Sequence, residues 1–303
     1  MKKLLVPVDF SEVSIHATQF AIEFAEKEDA EVTLLNSIHF GFYTDYQFTS
    51  FTNTKTFVDE VLEASKKKMK DFISKFNTDV KFEIRIEDES LVTVVKDLTK
   101  HGEYDLVVIG TTGSSGIQEV LVGSNAEKIV RHAECPVIAV PTKTRLSEIK
   151  KVLVPIDIRE VKSSFLNQIA MLQGNLGVSF EFLWVKTPHN VENEEMVSEE
   201  LSKVIQAHGI TDYEFAIERS IFPSDGILNR ADEINANMIA MPTHARRGIA
   251  HWLSGSLTED TVNHIKVPVW SFKIDKKEKP VALESVKAAK GKPEYKKIEI
   301  LAY

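Results

Sequence analysis

Along the first half of the chain, short unbroken apolar runs alternate with stretches whose apolar residues recur at helical spacing. The runs predict strands at Leu4–Val8, Glu31–Leu35, Asp79–Arg85, Leu106–Ile109 and Val137–Val140. A run such as Leu106–Ile109, without polar interruption, is what a strand covered on both faces of a parallel sheet requires. Between the runs, periodicity predicts helices over Glu12–Glu26, Val58–Phe76, Leu91–His101 and Asn125–His132. In the first of these, Ala17, Phe20, Ala21 and Phe24 share one face, and Ser11 stands where an N-cap is needed. Strand and helix in alternation imply right-handed crossovers and a doubly wound, Rossmann-like parallel sheet, the α/β class. Such sheets take ligands outside the carboxyl ends of their strands, where the winding reverses. In a five-stranded order 3-2-1-4-5 the first and fourth strands are neighbours. Pro7-Val8-Asp9 and Ile109-Gly110 then supply the two edges of one crevice.

The pattern occurs twice. Lys3–Asp9 reads KLLVPVD and Lys151–Asp157 reads KVLVPID. Ile109–Ser124, IGTTGSSGIQEVLVGS, aligns without gaps on Met241–Ser256, MPTHARRGIAHWLSGS. Each copy then runs through a short helix to a Pro-Val strand, Pro136–Val140 and Pro268–Phe272. A period near half the chain is too long for a solenoid unit and marks a duplicated domain. The expected division is 1–144, 145–275 and a charged extension over 276–303.

The stretch after the fourth strand carries the candidate chemistry. It holds Gly110, Gly113 and Gly116, and Gly123-Ser124-Asn125 opens the next helix. A glycine loop running into a helix N-terminus uncovers backbone N–H groups, adds a favourable dipole, and lets main chain approach a ligand that a Cβ would hold off. Ser124 is the expected N-cap, with a hydroxyl able to turn to an anion. Other devices are absent: GxxxxGK[ST], the GxGxxG dinucleotide fingerprint, HExxH and CxxC. TGSSG at Thr112–Gly116 fits a nucleophile elbow only loosely, with Ser114 one place early. His244 and His251 are seven apart, not at metal-ligand spacing, and no designed metal site is expected.

With these residues in view, the chain resembles a tandem universal stress protein, two such domains fused over nearly all of Met1 to Ile274. ATP-binding members of that family carry a phosphate loop G-x2-G-x9-G-[ST], which Gly110, Gly113, Gly123 and Ser124 satisfy. The resemblance implies an adenine nucleotide as ligand, ATP with or without Mg²⁺. It further implies that Asp9 meets the ribose, that Pro7, Val8, Ser37 and Ile109 border the adenine, and that main chain at Asn125 and Ala126 joins Ser124 in holding phosphate. In the second copy Pro242 and Ala245 replace the first two glycines, and only Gly255 and Ser256 remain. Proline has no N–H to donate, so a degenerate second site is expected. Family members dimerise through the last strand of each domain; here Pro136–Val140 and Pro268–Phe272 are expected to meet within one chain as a pseudo-dimer. Association into a homodimer of whole chains is left open.

Three functional readings follow: a nucleotide-responsive stress regulator read by an unidentified protein partner, a nucleotide-independent scaffold, and a slow ATPase. Catalysis ranks below binding, because no base or arginine finger is evident near the first loop. An aromatic stretch, Phe40 to Phe57 with Phe42, Tyr43, Tyr46, Phe48 and Phe51, is expected either as a lid beside the base or as a buried patch. Net charge −8 argues against nucleic acid as partner. No apolar run reaches the ~20 residues of a membrane span, so no membrane partner is expected. Met1 to Glu12 reads as a first strand rather than a signal peptide, and with the single Cys135 this suggests a cytoplasmic setting. Cys135 itself reads as a small apolar residue at a strand start. From Lys276 onward eight Lys and four Glu suggest a solvated tail, with Ile298–Leu301 as an apolar end able to dock.

Overall fold

A computed structural model of the protein describes residues 3–38, 54–111, 124–141, 143–242, 267–275, 277–281 and 283. The first half contains β1 (Lys3–Pro7), α1 (Glu12–Glu28), β2 (Glu31–Ser37), α2 (Thr54–Ile73), β3 (Phe82–Glu87), α3 (Leu91–Lys100), β4 (Leu106–Gly110), α4 (Ser124–His132) and β5 (Val137–Val140). A 3-10 turn at Leu146–Glu148 leads to β6 (Lys151–Pro155), α5 (Ser163–Leu176), β7 (Ser179–Lys186), α6 (Glu194–Ala207), β8 (Tyr213–Arg219), α7 (Pro223–Glu233), β9 (Met238–Pro242) and β10 (Val269–Phe272).

Most boundaries fall where the pattern put them, and the departures have local causes. β3 begins at Phe82 rather than Asp79, because Thr78 is held elsewhere: its hydroxyl donates to Glu26 and accepts from the Val80 amide. α2 starts earlier, at Thr54, since its first turn (Thr54, Lys55, Thr56) offers no apolar period to detect. β2 continues through the polar Asn36 and Ser37, which pair with Ile86 and Glu87.

All ten strands form one sheet in the order β3-β2-β1-β4-β5-β10-β9-β6-β7-β8. Every pairing is parallel except β5–β10, where the two halves meet antiparallel. Ile138 there pairs with Trp270, and the repeat makes these two residues equivalent. A pseudo-two-fold axis therefore runs through this pair, and each strand protects the edge that the other would leave open.

Alternation along the strands sends side chains to two continuous cores. One face packs Phe20 and Phe24 of α1, Phe72 of α2, Phe165 of α5 and Leu201 of α6 against Leu4, Val6, Val108 and Trp270. The other packs α3, α4 and α7 against Leu5, Val107, Ile109 and Ile239. Both clusters cross the β5–β10 seam, so the halves share their cores. Polar ties add to this: Lys27 donates to the carbonyl of Leu176 at the C-terminus of α5 (2.8 Å), Glu23 accepts from the Leu146 amide (2.7 Å), and Lys273 pairs with Glu134. A cation at a helix C-terminus is favourably placed by the dipole.

The start of the charged extension is docked, contrary to the solvated tail expected there. Glu278 accepts from the Ser164 amide (2.9 Å) and caps α5, whose N-cap residue Lys162 makes no side-chain cap. The Val281 amide donates to Val161 (2.7 Å), and Leu283 is buried in the first core. A carboxylate at an otherwise uncapped helix start and a leucine removed from water outweigh the polarity of the surrounding lysines.

Candidate functional site

The crevice begins where two strands stop pairing. β1 and β4 pair at Leu4–Leu106 and Leu5–Val107 only, although β1 runs on to Pro7 and β4 to Gly110. Beyond this point β1 pairs on its other side, with β2, up to Pro7–Leu35. The chain leaves β1 toward α1 on one face, and α4, which follows β4, packs on the opposite face. This is the reversal of winding that opens a ligand crevice in such sheets.

Asp9 stands exposed at the end of β1. Its Oδ1 accepts from the Ser11 amide (3.0 Å) and the Ser11 hydroxyl (2.5 Å), while Ser11 Oγ caps α1 at the Ser14 amide (3.3 Å). Between them Phe10 has φ of 67°, the left-handed region that a bulky residue occupies only at a cost of about 1–2 kcal/mol. Phe10 is held there by edge-to-face packing on Phe72 of α2, with centroids 5.9 Å apart.

The residues expected to border an adenine divide by atom type. Pro7, Val8 and Ile109 are buried, and the Val8 and Ile109 side chains belong to opposite cores, which leaves their main chain to line the crevice. Ser37 is half-buried with its hydroxyl donating to the Glu89 carbonyl. Gly110 has a close neighbour other than a ligand: a Cβ there would stand 2.7 Å from the carbonyl oxygen of Val13 in α1. Its glycine is required by strand–helix packing whatever else it does. Ser124 falls inside the first turn of α4 rather than before it, so its amide is one of the donors a helix start leaves unpaired. Asn125 is exposed and Ala126 buried. Glu127, the acidic residue of that turn, is engaged by Arg131 (2.6 Å), which offsets its charge near an incoming anion. Gly113, Gly123 and the aromatic stretch Phe40–Phe51 lie outside the described residues, as does the side chain of Phe57.

Sequence reasoning passed over three residues at this site. Asn36 is buried, donates to the Val8 carbonyl (2.8 Å) and accepts from Ser65 of α2 (2.8 Å), tying β1, β2 and α2 together. A lone Asn within an apolar strand was the signal. Thr111 follows Gly110, is 4% exposed, and its Oγ1 has no hydrogen-bond partner among the described residues. Phe10 gave no sequence signal, since nothing in its type announces a positive φ.

The second half repeats the frame with other contents. β6 and β9 likewise pair only at Val152–Met238 and Leu153–Ile239, but β9 ends on Pro242 where β4 ends on Gly110. No group of His, Cys, Asp or Glu able to hold a metal occurs among the described residues. No helix among them is long and apolar enough to cross a membrane.

Fold and crevice together define a duplicated, doubly wound α/β protein with a switch point in each half. The chain belongs to the universal stress protein family, whose profile matches residues 1–141 and again 148–273. It is 29% identical over 144 residues to a universal stress protein of Methanocaldococcus jannaschii, covering 46% of this chain and 81% of that one. A Staphylococcus aureus protein provisionally assigned to the same family is 31% identical over 164 residues, 52% of this chain and 95% of its own. In fold it is similar to the crystal structure of a universal stress protein from Archaeoglobus fulgidus, with TM-score 0.66, 21% identity, and 89% and 98% of the two chains covered.

Proposed function

We propose that the first half binds an adenine nucleotide, ATP in the simplest case, at the carboxyl ends of β1 and β4, and that occupancy is read by a partner protein in a stress response. The observation that carries this reading is the early end of the β1–β4 ladder, with Asp9 exposed on one side and the α4 N-terminus on the other. Backbone at Pro7, Val8 and Ile109, with Ser37, borders the base; Asp9 meets the ribose; Gly110, Gly113, Gly123, Ser124, Asn125 and Ala126 hold the phosphates. The residues fit such a ligand, because Asp9 reaches solvent and the α4 turn brings an already neutralised Glu127. Mg²⁺, where it accompanies ATP, would draw its ligands from phosphate and water, with Asp9 the carboxylate that would help hold it. In this reading the groups named bind and orient the nucleotide, and the function is binding.

Isothermal titration of the full chain with ATP tests the reading. Saturable binding is expected, weakened at least tenfold by Gly123→Ala or Gly113→Ala with folding unchanged. Gly110→Ala is unsuitable because it disturbs packing against Val13. Absence of binding by the native chain, or undiminished binding by both variants, refutes it.

A further inference from the structure

The connection from β6 to α5 differs from its counterpart in the first half in length and in charge. Asp9 is followed by Ser11 as N-cap of α1, whereas Asp157 is followed by Arg159, Glu160, Val161 and Lys162 before α5 begins. Two cations thus stand where the first half has none. Arg159 reaches across the carboxyl ends of β6 and β7 to Glu192, with Nε 2.8 Å from Oε1 and Nη2 on the same oxygen. Glu192 is 2% exposed. Its backbone carbonyl accepts from Lys186, the last residue of β7 (3.2 Å), and Asn190 donates to its Oε2 (3.4 Å). Asn190 in turn accepts from the amide and hydroxyl of Thr187 (both 2.9 Å), folding residues 187–193 back over the strand ends as a strap. On the other side of the same connection, Glu278 occupies the α5 N-terminus, and its carbonyl accepts from Lys162 (2.6 Å).

A buried carboxylate is costly unless it is paired, and a guanidinium at a strand end is a natural seat for a phosphate. Among the described residues of the second half, two positions that attract an anion, the Arg159 guanidinium and the start of α5, are filled by carboxylates of the chain itself. We propose that Glu192 is an internal pseudo-ligand: it occupies a latent anion site on Arg159 and, with Glu278 at α5, closes the second crevice to phosphate-bearing small molecules. The first half is then the open member of the pair, whether or not its ligand is ATP.

The test uses the full chain and inorganic pyrophosphate as probe. Titration calorimetry on Glu192→Ala is expected to show one equivalent of pyrophosphate per chain more than the native protein, with a rise in Tm on adding it. Glu192→Gln keeps the shape of the strap while removing the charge, and is expected to gain the same equivalent where the alanine variant folds poorly. Arg159→Leu with Glu192→Leu removes both partners and is expected to lose the gain. The same stoichiometry in native and both single variants overturns the proposal, as does a gain that survives in the double variant. Because the comparison is between chains that share the first half, a native protein that binds no nucleotide counts against the function proposed above and leaves this comparison decisive.

Discussion

One substitution made at two glycines separates packing from ligand approach. Gly110 ends β4 against the first turn of α1, where an added methyl would lie 2.7 Å from the Val13 oxygen and 2.8 Å from its carbonyl carbon. Both are backbone atoms, so no rotamer change relieves the overlap. Either β4 or α1 must move by several tenths of an ångström within a core that includes Phe20, Phe24 and Val108. Overpacking of this kind costs about 1–3 kcal/mol. Gly174 lies within α5, and a Cβ there meets nothing within 4 Å. Alanine at an exposed helix interior gains roughly 0.5–1 kcal/mol over glycine, through lower backbone entropy in the unfolded chain. Gly110→Ala is therefore expected to lower, and Gly174→Ala to raise, the midpoint of urea unfolding, with unchanged slopes. A Gly110→Ala variant as stable as the native chain, or a shift of both variants in one direction, refutes the packing account. If Gly110→Ala lost only nucleotide affinity, the glycine would serve the ligand alone.

Other expectations follow from charge and burial. Glu192 is acted on first by burial, which raises its pKa, but hydrogen bonding and charge from Arg159 outweigh this and hold it below its ordinary 4.5. A depressed carboxyl contributes stability that is present above about pH 4.5 and lost as pH falls through the lower, folded value, so Glu192→Gln is expected to flatten the acid limb of stability against pH; an unchanged limb contradicts the pairing. Glu181 is fully buried between Arg230 and Lys151 (3.3 Å); Glu181→Ala leaves Arg230 only Glu233 (2.8 Å) and Lys151 only Glu214 (3.5 Å), and is expected to cost about 1–3 kcal/mol in urea unfolding. Its replacement together with Arg230→Leu should cost less than the two single changes summed, and additivity would show the pair uncoupled. Burial pushes the Cys135 thiol up to about 12, so native protein at pH 8 is expected to react with a disulfide reagent far more slowly than unfolded protein; equal rates contradict it.

What the sequence made legible is what repeats or has a period. The apolar runs of β1, β4 and β5 and the face of α1 are written in residue type, because burial on both sides of a parallel sheet selects them directly. The duplication was visible in KLLVPVD and KVLVPID, and the meeting of β5 with β10 follows from two equivalent edges that protect each other. What stayed hidden depends on contacts between segments distant in sequence. Gly110 reads identically whether it admits a phosphate or the Val13 carbonyl. Nothing in the acidic stretch after β7 sets one glutamate apart from the rest, yet Glu192 is buried on Arg159, 33 residues away. Glu278, in a lysine-rich tail, caps a helix that starts 115 residues earlier, at Ser163. The last two departures share a location: Glu192 on Arg159, and Glu278 on Lys162 and the α5 start, both meet the β6–α5 connection. In the first half that place is held by a short turn strained at Phe10, with a solvent-facing Asp9. A duplicated gene starts with two equal crevices, and a lengthened connection that adds a guanidinium and leaves a helix start without a side-chain cap creates two places that call for an anion. Filling them from within stabilises the second half and, by the same contacts, takes away the vacancy that a ligand would need.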